Sequence, residues 1–236
     1  MNQFRTIIES LRRQAPWLLG LAATVIAAVG FNLLADPAVE ARQGAPGDFD
    51  YYVLSLSWSP TYCATDARAD TRDQCREDRA FIVHGLWPQY ERGYPEYCST
   101  SWPLRLPARL LDSYDAITPD RGLLAHQWRK HGVCTGLSPE DYLDTAKAFR
   151  QSIRVPRVLR SPKRQISMTR DDMVSAFVET NEGLDTTSLA IVCEGRRLDE
   201  VRICMTKDGK PRRCGDDVLA RSCGRSPMIV LPVSGG

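Results

Sequence analysis

Histidine is scarce in this chain, with only three among 236 residues. Eight cysteines are present, yet no two stand in a Cys-x-x-Cys pair. No Asn-x-Ser/Thr acceptor exists, no internal repeat appears, and 31 basic residues nearly balance 29 acidic ones, leaving a net charge of +2. Each shortage excludes something. Without Cys-x-x-Cys spacing the cysteines are a poor zinc cluster. A charge this small draws nucleic acid only weakly, so any such binding has to come from a local site. The missing glycosylation acceptor leans towards a bacterial periplasmic or secreted protein over a lysosomal or vacuolar one.

Export is what the N-terminus suggests. Arg5, Arg12 and Arg13 precede an apolar run from Ala15 to Ala35, and Val39-Glu40-Ala41 offers a small-residue cleavage site. Residues 1–41 therefore read as a signal peptide or, since the run is long, an N-terminal anchor. Residues 42–236 are left as one domain, roughly 195 residues, enough for a sizeable core. All eight cysteines follow the leader, at positions 63, 75, 98, 134, 193, 204, 214 and 223. An even number behind an export signal argues for four disulfides, although about 105 pairings are open to eight cysteines.

All three histidines fall inside two short strings. His84 stands in Phe81-Ile-Val-His-Gly-Leu-Trp-Pro88, and His126 and His131 stand in His126-Gln-Trp-Arg-Lys-His-Gly-Val-Cys134. Histidine exchanges protons near neutrality, and a pair of them is the simplest acid–base catalyst. If Leu123–Val133 is a helix, Lys130, Gln127 and His131 lie at about 40°, 100° and 140° from His126. The four polar groups then share one face, a receptor for phosphate, while Trp128 and Arg129 point elsewhere. Gly132 would end that helix. A lone histidine is usually structural, but three of three in such strings weigh against that here. Zinc fits poorly, because helical ligand pairs sit at i, i+4 whereas these are at i, i+5 with Lys130 between.

At these residues the chain resembles the ribonuclease T2 family of secreted acid ribonucleases. That family has a first active-site segment like His84-Gly-Leu-Trp-Pro88 and a second of the form His-Glu-Trp-x-Lys-His-Gly-x-Cys. The likeness extends over most of the chain after the leader, including Leu56-Ser-Trp-Ser-Pro-Thr-Tyr-Cys63. The chain departs from the pattern at Gln127, where the family carries glutamate. The resemblance implies the pairs Cys63–Cys75, Cys98–Cys134, Cys193–Cys223 and Cys204–Cys214. It also implies a catalytic group of His84, His126, Gln127, Lys130 and His131, with Trp87, Gln89 and Tyr94 in base recognition. In a regular strand Trp87 would face away from His84, so a turn at Pro88 is expected to swing it over the cleft.

Tyr51–Trp58 and Phe81–His84 read as strands, Leu104–Ile117 as a helix with Pro103 and Pro107 blurring its start, and Ser138 as the cap of a helix reaching Ile153. Thr169 opens another to Thr180, Leu189–Cys193 and Leu198–Met205 form a hairpin, and Met228–Leu231 is a last strand. The fold class is α+β: one disulfide-stapled domain with a central, mainly antiparallel sheet flanked by helices. The basic stretch from Arg154 to Arg164 reads as a solvated loop or a guide for an RNA backbone.

The expected function is metal-independent cleavage of single-stranded RNA by its own 2′-hydroxyl, leaving a 2′,3′-cyclic phosphate. His131 is given the base role and His84 the acid role; His126 and Lys130 hold the phosphate. No cofactor is needed, DNA should bind without reacting, and the protein should be a monomer with no membrane partner unless the leader is uncleaved. Gln127 cannot carry charge, so a rate loss of one or two orders of magnitude, about 1.4–2.8 kcal/mol of barrier, is expected. The alternative is a secreted RNA- or partner-binding protein on a catalytically weakened scaffold.

Overall fold

The computed structural model describes residues 44–66 and 73–233. The expected leader lies outside the described residues. Among those described, no helix is long and apolar enough to cross a membrane.

Among the described residues, six strands form one sheet: β1 (Tyr51–Trp58), β2 (Phe81–Gln89), β3 (Ile166–Met168), β4 (Leu189–Glu194), β5 (Arg197–Met205) and β6 (Met228–Val230). β1 lies between β2 and β5, and β4 pairs β5, all antiparallel. β6 meets β5 in parallel at Arg197 and pairs antiparallel with β3. The architecture is the α+β domain with a mainly antiparallel sheet that the pattern implied.

Alternation along β1 divides the sheet into two faces. Tyr52, Leu54, Leu56 and Trp58 share the core with Val83, Leu86, Val201 and Ile203. Helices α5 (Pro139–Ser152) and α7 (Arg170–Thr180) bury Tyr142, Leu143, Phe149, Met173 and Phe177 in the same core. Both start where expected, with Ser138 accepting from the Asp141 amide and Thr169 closing a reciprocal cap with Asp172. The opposite face carries Val53, Ser55 and Ser57, level with Cys204, Arg202 and Glu200 on β5. That face becomes the floor of the site.

The expected helix Leu104–Ile117 shrinks to α3 (Ala108–Asp112), with Pro107 at the N-cap position and no side-chain cap. Its would-be last turn is used elsewhere. The Ile117 carbonyl accepts from the Val83 amide at 2.8 Å, and Thr118 Oγ1 donates to the Val83 carbonyl at 2.6 Å. Those two bonds finish the outer edge of β2, which outweighs another helical turn. Helix α4 (Arg121–Lys130) and the short helices α1 (Ser59–Thr65), α2 (Asp73–Arg76), α6 (Arg157–Arg160) and α8 (Asp216–Leu219) are the other helices among the described residues. All four disulfides join the pairs implied by the resemblance.

Candidate active site

His84 is placed by a defect in a ladder. Ser55 of β1 is level with Gly85, and Leu56 with Val83, so His84 is an extra residue on β2. Such a bulge re-aims side chains and resets the alternation. It puts His84 on the same face as Trp87, Gln89 and the β1 serines. The expected turn at Pro88 is not what brings Trp87 to the cleft, because β2 runs on through Gln89 and the bulge does the work.

Helix α4 spans Arg121–Lys130, one turn earlier than expected at its end, and Asp120 caps its start by accepting from Leu123 N at 2.9 Å. His131 is the C-cap, and Gly132–Cys134 form a 3₁₀ turn. Gly132 does not terminate the helix by a left-handed turn. It is glycine because a Cβ there would stand 2.4 Å from Trp128 and 2.9 Å from Tyr142. Trp128 itself is core: fully buried, 5.8 Å from the Tyr142 ring, with its indole N–H on the Pro103 carbonyl at 2.9 Å. Trp58 is likewise core, donating to the Leu231 carbonyl.

The remaining polar groups converge. His84, Trp87, Gln89, Tyr94, His126, Gln127, Lys130 and His131 all line one cleft of about 370 Å³. Trp87 is its hub. Its ring centroid lies 5.3 Å from His84 and 5.4 Å from His131, and its Nε1–H donates to Gln127 Oε1 at 2.7 Å. That bond crosses directly over Gly85, where a Cβ would meet Gln127 Oε1 at 2.3 Å. Gln127 is buried, so its amide oxygen serves the indole rather than the open cleft. Tyr94 is about half exposed at the rim, 5.9 Å from His131, and Gln89 is buried with its amide on the Pro88 carbonyl.

The electrostatics are unequal. Burial, helped by Lys130, His84 and His126, pushes the His131 imidazole down to about 3, so it is neutral over most of the pH range. Its Nδ1 is buried with no hydrogen-bond partner among the described residues. Burial and the charges of Arg129 and Lys130 also lower His126. Lys130 pairs with Glu96 at 3.3 Å and sits 5.8 Å above the Tyr94 ring.

Two residues that the motifs do not reveal belong to this site. His84 Nδ1 contacts Glu200 Oε1, and Arg202 binds Glu200 and lines the cleft. Burial would push the Glu200 carboxyl up, but His84 and Arg202 overcome this and hold it well below the usual range. Neighbouring Asp199 goes the other way, raised to about 6 by burial and by the charge of Glu200. The signal was present: Asp199-Glu-Val-Arg202 puts two charges at i, i+2 in a hairpin strand, on one face, otherwise flanked by Leu198, Val201 and Ile203. Asp217 and Arg221, between Cys214 and Cys223, also line the cleft.

A disulfide-stapled α+β domain with imidazoles from its sheet and from one helix meeting in a cleft is the class these observations define. The match to known proteins is specific: the model of the ribonuclease T2 family covers residues 49–214, and the chain belongs to that family. A ribonuclease of Aeromonas hydrophila is 35% identical over 202 residues, covering 83% of this chain and 91% of that one. A probable ribonuclease of Haemophilus influenzae is 31% identical over 186 residues, covering 73% of this chain and 63% of that one. Among solved structures, RNase NT in complex with 5′-AMP superposes with a TM-score of 0.64 at 24% identity, covering 78% of this chain and 99% of that one, a likeness of fold. Family and relatives together support a ribonuclease.

Proposed function

We propose that the protein is a metal-independent endoribonuclease that cleaves single-stranded RNA by transphosphorylation. The nucleophile is the ribose 2′-hydroxyl, so the protein need only move two protons and hold a phosphate. His131 accepts the 2′-OH proton as the oxygen attacks phosphorus. His84 gives a proton to the departing 5′-oxygen as the P–O5′ bond breaks, and a 2′,3′-cyclic phosphate remains. The observation that carries the reading is the contrast between two imidazoles flanking Trp87. One is buried and held neutral, the form a base must have before it acts. The other has Nδ1 on a carboxylate, which leaves Nε2 to serve the cleft.

His126 and Lys130 hold the phosphate and offset the charge that builds on its oxygens. Glu96 already engages Lys130, so substrate phosphate has to share or displace that partner. Trp87, Gln89 and Tyr94 form the base wall, with the half-exposed Tyr94 ring the surface on which a base stacks, for about 1–3 kcal/mol. DNA lacks the nucleophile and is bound without being cut. The four disulfides suit an oxidising compartment, in keeping with export to a bacterial periplasm or beyond and with residues 1–41 as the leader.

Product analysis on an RNA oligomer in EDTA tests this. Fragments ending in 2′,3′-cyclic phosphate are expected. Activity lost in chelator and restored by zinc would replace the mechanism. RNA retained but intact from acid to neutral pH would make the protein an RNA-binding member of the family.

A further inference from the structure

Glu200 and Arg202 stand two residues apart on β5, and so on one face of the sheet. Ser57 and Ser55 of β1 are level with them, on the floor beneath His84 and Trp87. Glu200 is only 4% exposed. Its Oε1 meets His84 Nδ1, while its Oε2 accepts from Arg202 Nε at 2.8 Å and from Arg202 Nη2 at 2.7 Å. Both carboxylate oxygens are thus spoken for. An ionised carboxylate this deep is strongly unfavourable unless paired, and an apolar side chain of similar size would fill the space at less cost. Its two partners are both cleft residues, which points to a role in the chemistry rather than in the core.

We infer that Glu200 is the positioning residue for His84, and that Arg202 is the clamp that keeps Glu200 in place. This rests on reading His84 as the general acid. With Nδ1–H held by the carboxylate, the ring cannot flip, and Nε2 is the nitrogen that faces substrate. The carboxylate also meets the charge of the imidazolium before it donates. When the Nε2 proton passes to the 5′-oxygen, the electron pair of the breaking P–O5′ bond becomes that oxygen's lone pair, and His84 returns to the neutral Nδ1–H form. Arg202 ties this brace to the rest of the cleft. Its guanidinium lies 5.1 Å from the Trp87 ring centroid, and Trp87 in turn is held by Gln127 on α4. His131 has no such brace, its Nδ1 having no partner among the described residues. The asymmetry matches the division of labour: the braced ring is oriented to donate, and the unbraced, buried ring begins neutral.

The test separates leaving-group protonation from everything else. Kinetics of the wild type, Glu200→Gln and His84→Ala are measured on a dinucleoside monophosphate and on a nucleoside 3′-(4-nitrophenyl phosphate), whose phenolate departs without an acid. Glu200→Gln should lose about 100-fold in kcat on the dinucleotide with KM little changed, and should lose little on the aryl ester, following His84→Ala. The alkaline limb of the pH profile, where the acid loses its proton, should move to lower pH with it, Asp199, Arg202, His126 and His131 being the other titratable or charged groups around His84. A merely structural glutamate would lower both substrates alike. Equal losses in Glu200→Gln, or none, while His84→Ala discriminates, would overturn the inference. If His84→Ala itself fails to discriminate, the acid assignment falls instead. Should the variant not fold, imidazole ¹⁵N shifts of the wild type decide, since His84 as the Nε2–H tautomer at neutral pH would also overturn it.

Discussion

Gln127→Glu puts a charge at the position where the chain departs from its family, and the structure sets the size of the effect. Gln127 is 3% exposed and accepts the Trp87 indole N–H at 2.7 Å. A carboxylate accepts the same bond, and Gly85 beneath leaves it room, so the perturbation is chiefly electrostatic. His131 follows four residues later, and such helix neighbours lie about 5–6 Å apart at Cβ. Unit charges at about 6 Å with an effective dielectric near 20 interact by about 3 kcal/mol, or about two pKa units. His131 would then rise from about 3 towards the weakly acid range. It works as a base only when neutral, so the acid limb of the rate profile moves up by the same amount. Above that limb a stronger base acts, and kcat should rise about tenfold, within the range of acid–base effects. Two terms oppose this. Burying the carboxylate costs several kcal/mol before pairing, and it repels the substrate phosphate, so KM should rise. Steady-state kinetics of both forms on a dinucleotide from acid to neutral pH are the assay. A glutamate variant slower at every pH refutes the reasoning, and makes Gln127 an adapted residue whose task is to hold Trp87.

Two further outcomes concern the frame. Replacing Cys98 and Cys134 together with alanine should lower stability in denaturant by about 2–4 kcal/mol and lower kcat as well, since Cys134 ends the turn after His131; a free Cys134 thiol in peptide mapping would defeat this. His131 should also make stability pH-dependent, because its pKa is near 6.5 unfolded and about 3 folded. Between those values the unfolded chain binds the extra proton, so stability falls as pH falls through that window, by several kcal/mol, and His126 adds in the same direction. His131→Asn should flatten that limb in melts taken across the window, and an unchanged slope would refute the burial argument.

Much of this site was legible because its residues are local in sequence. Helical spacing alone grouped His126, Gln127, Lys130 and His131, and they share a cleft with His84. Core strands were legible from alternation, as in Tyr52, Leu54, Leu56 and Trp58. What escaped was whatever depends on pairing partners distant in sequence. The bulge at His84 exists only relative to Ser55 and Leu56 of β1, and nothing inside Phe81–Pro88 announces it. The loss of helix beyond Asp112 reflects bonds from Ile117 and Thr118 to Val83. Glu200 is 116 residues from His84, and a charged pair in a hairpin strand looks like solvent-facing decoration until the sheet buries it.

Placing an acid and a base on different elements demands that β2 and α4 keep a fixed separation, because proton transfer tolerates little error in distance. Four kinds of link serve that demand. Trp87 of β2 is bonded to Gln127 of α4 across Gly85. Tyr142 of α5 donates to the Leu86 carbonyl at 3.0 Å while its ring packs on Trp128, so one residue touches both elements from the core side. The Cys98–Cys134 disulfide and the bond from the Tyr97 amide to the Lys130 carbonyl fasten the loop after Trp87 to the end of α4. Glu200 and Arg202 hold the acid from the floor. Each link is made by different residues, so loosening one leaves the others to limit the displacement. Rate losses from single substitutions in the three links that join β2 to α4 should therefore be smaller than from removing an imidazole, and losses from paired substitutions should exceed the sum of the singles in free energy.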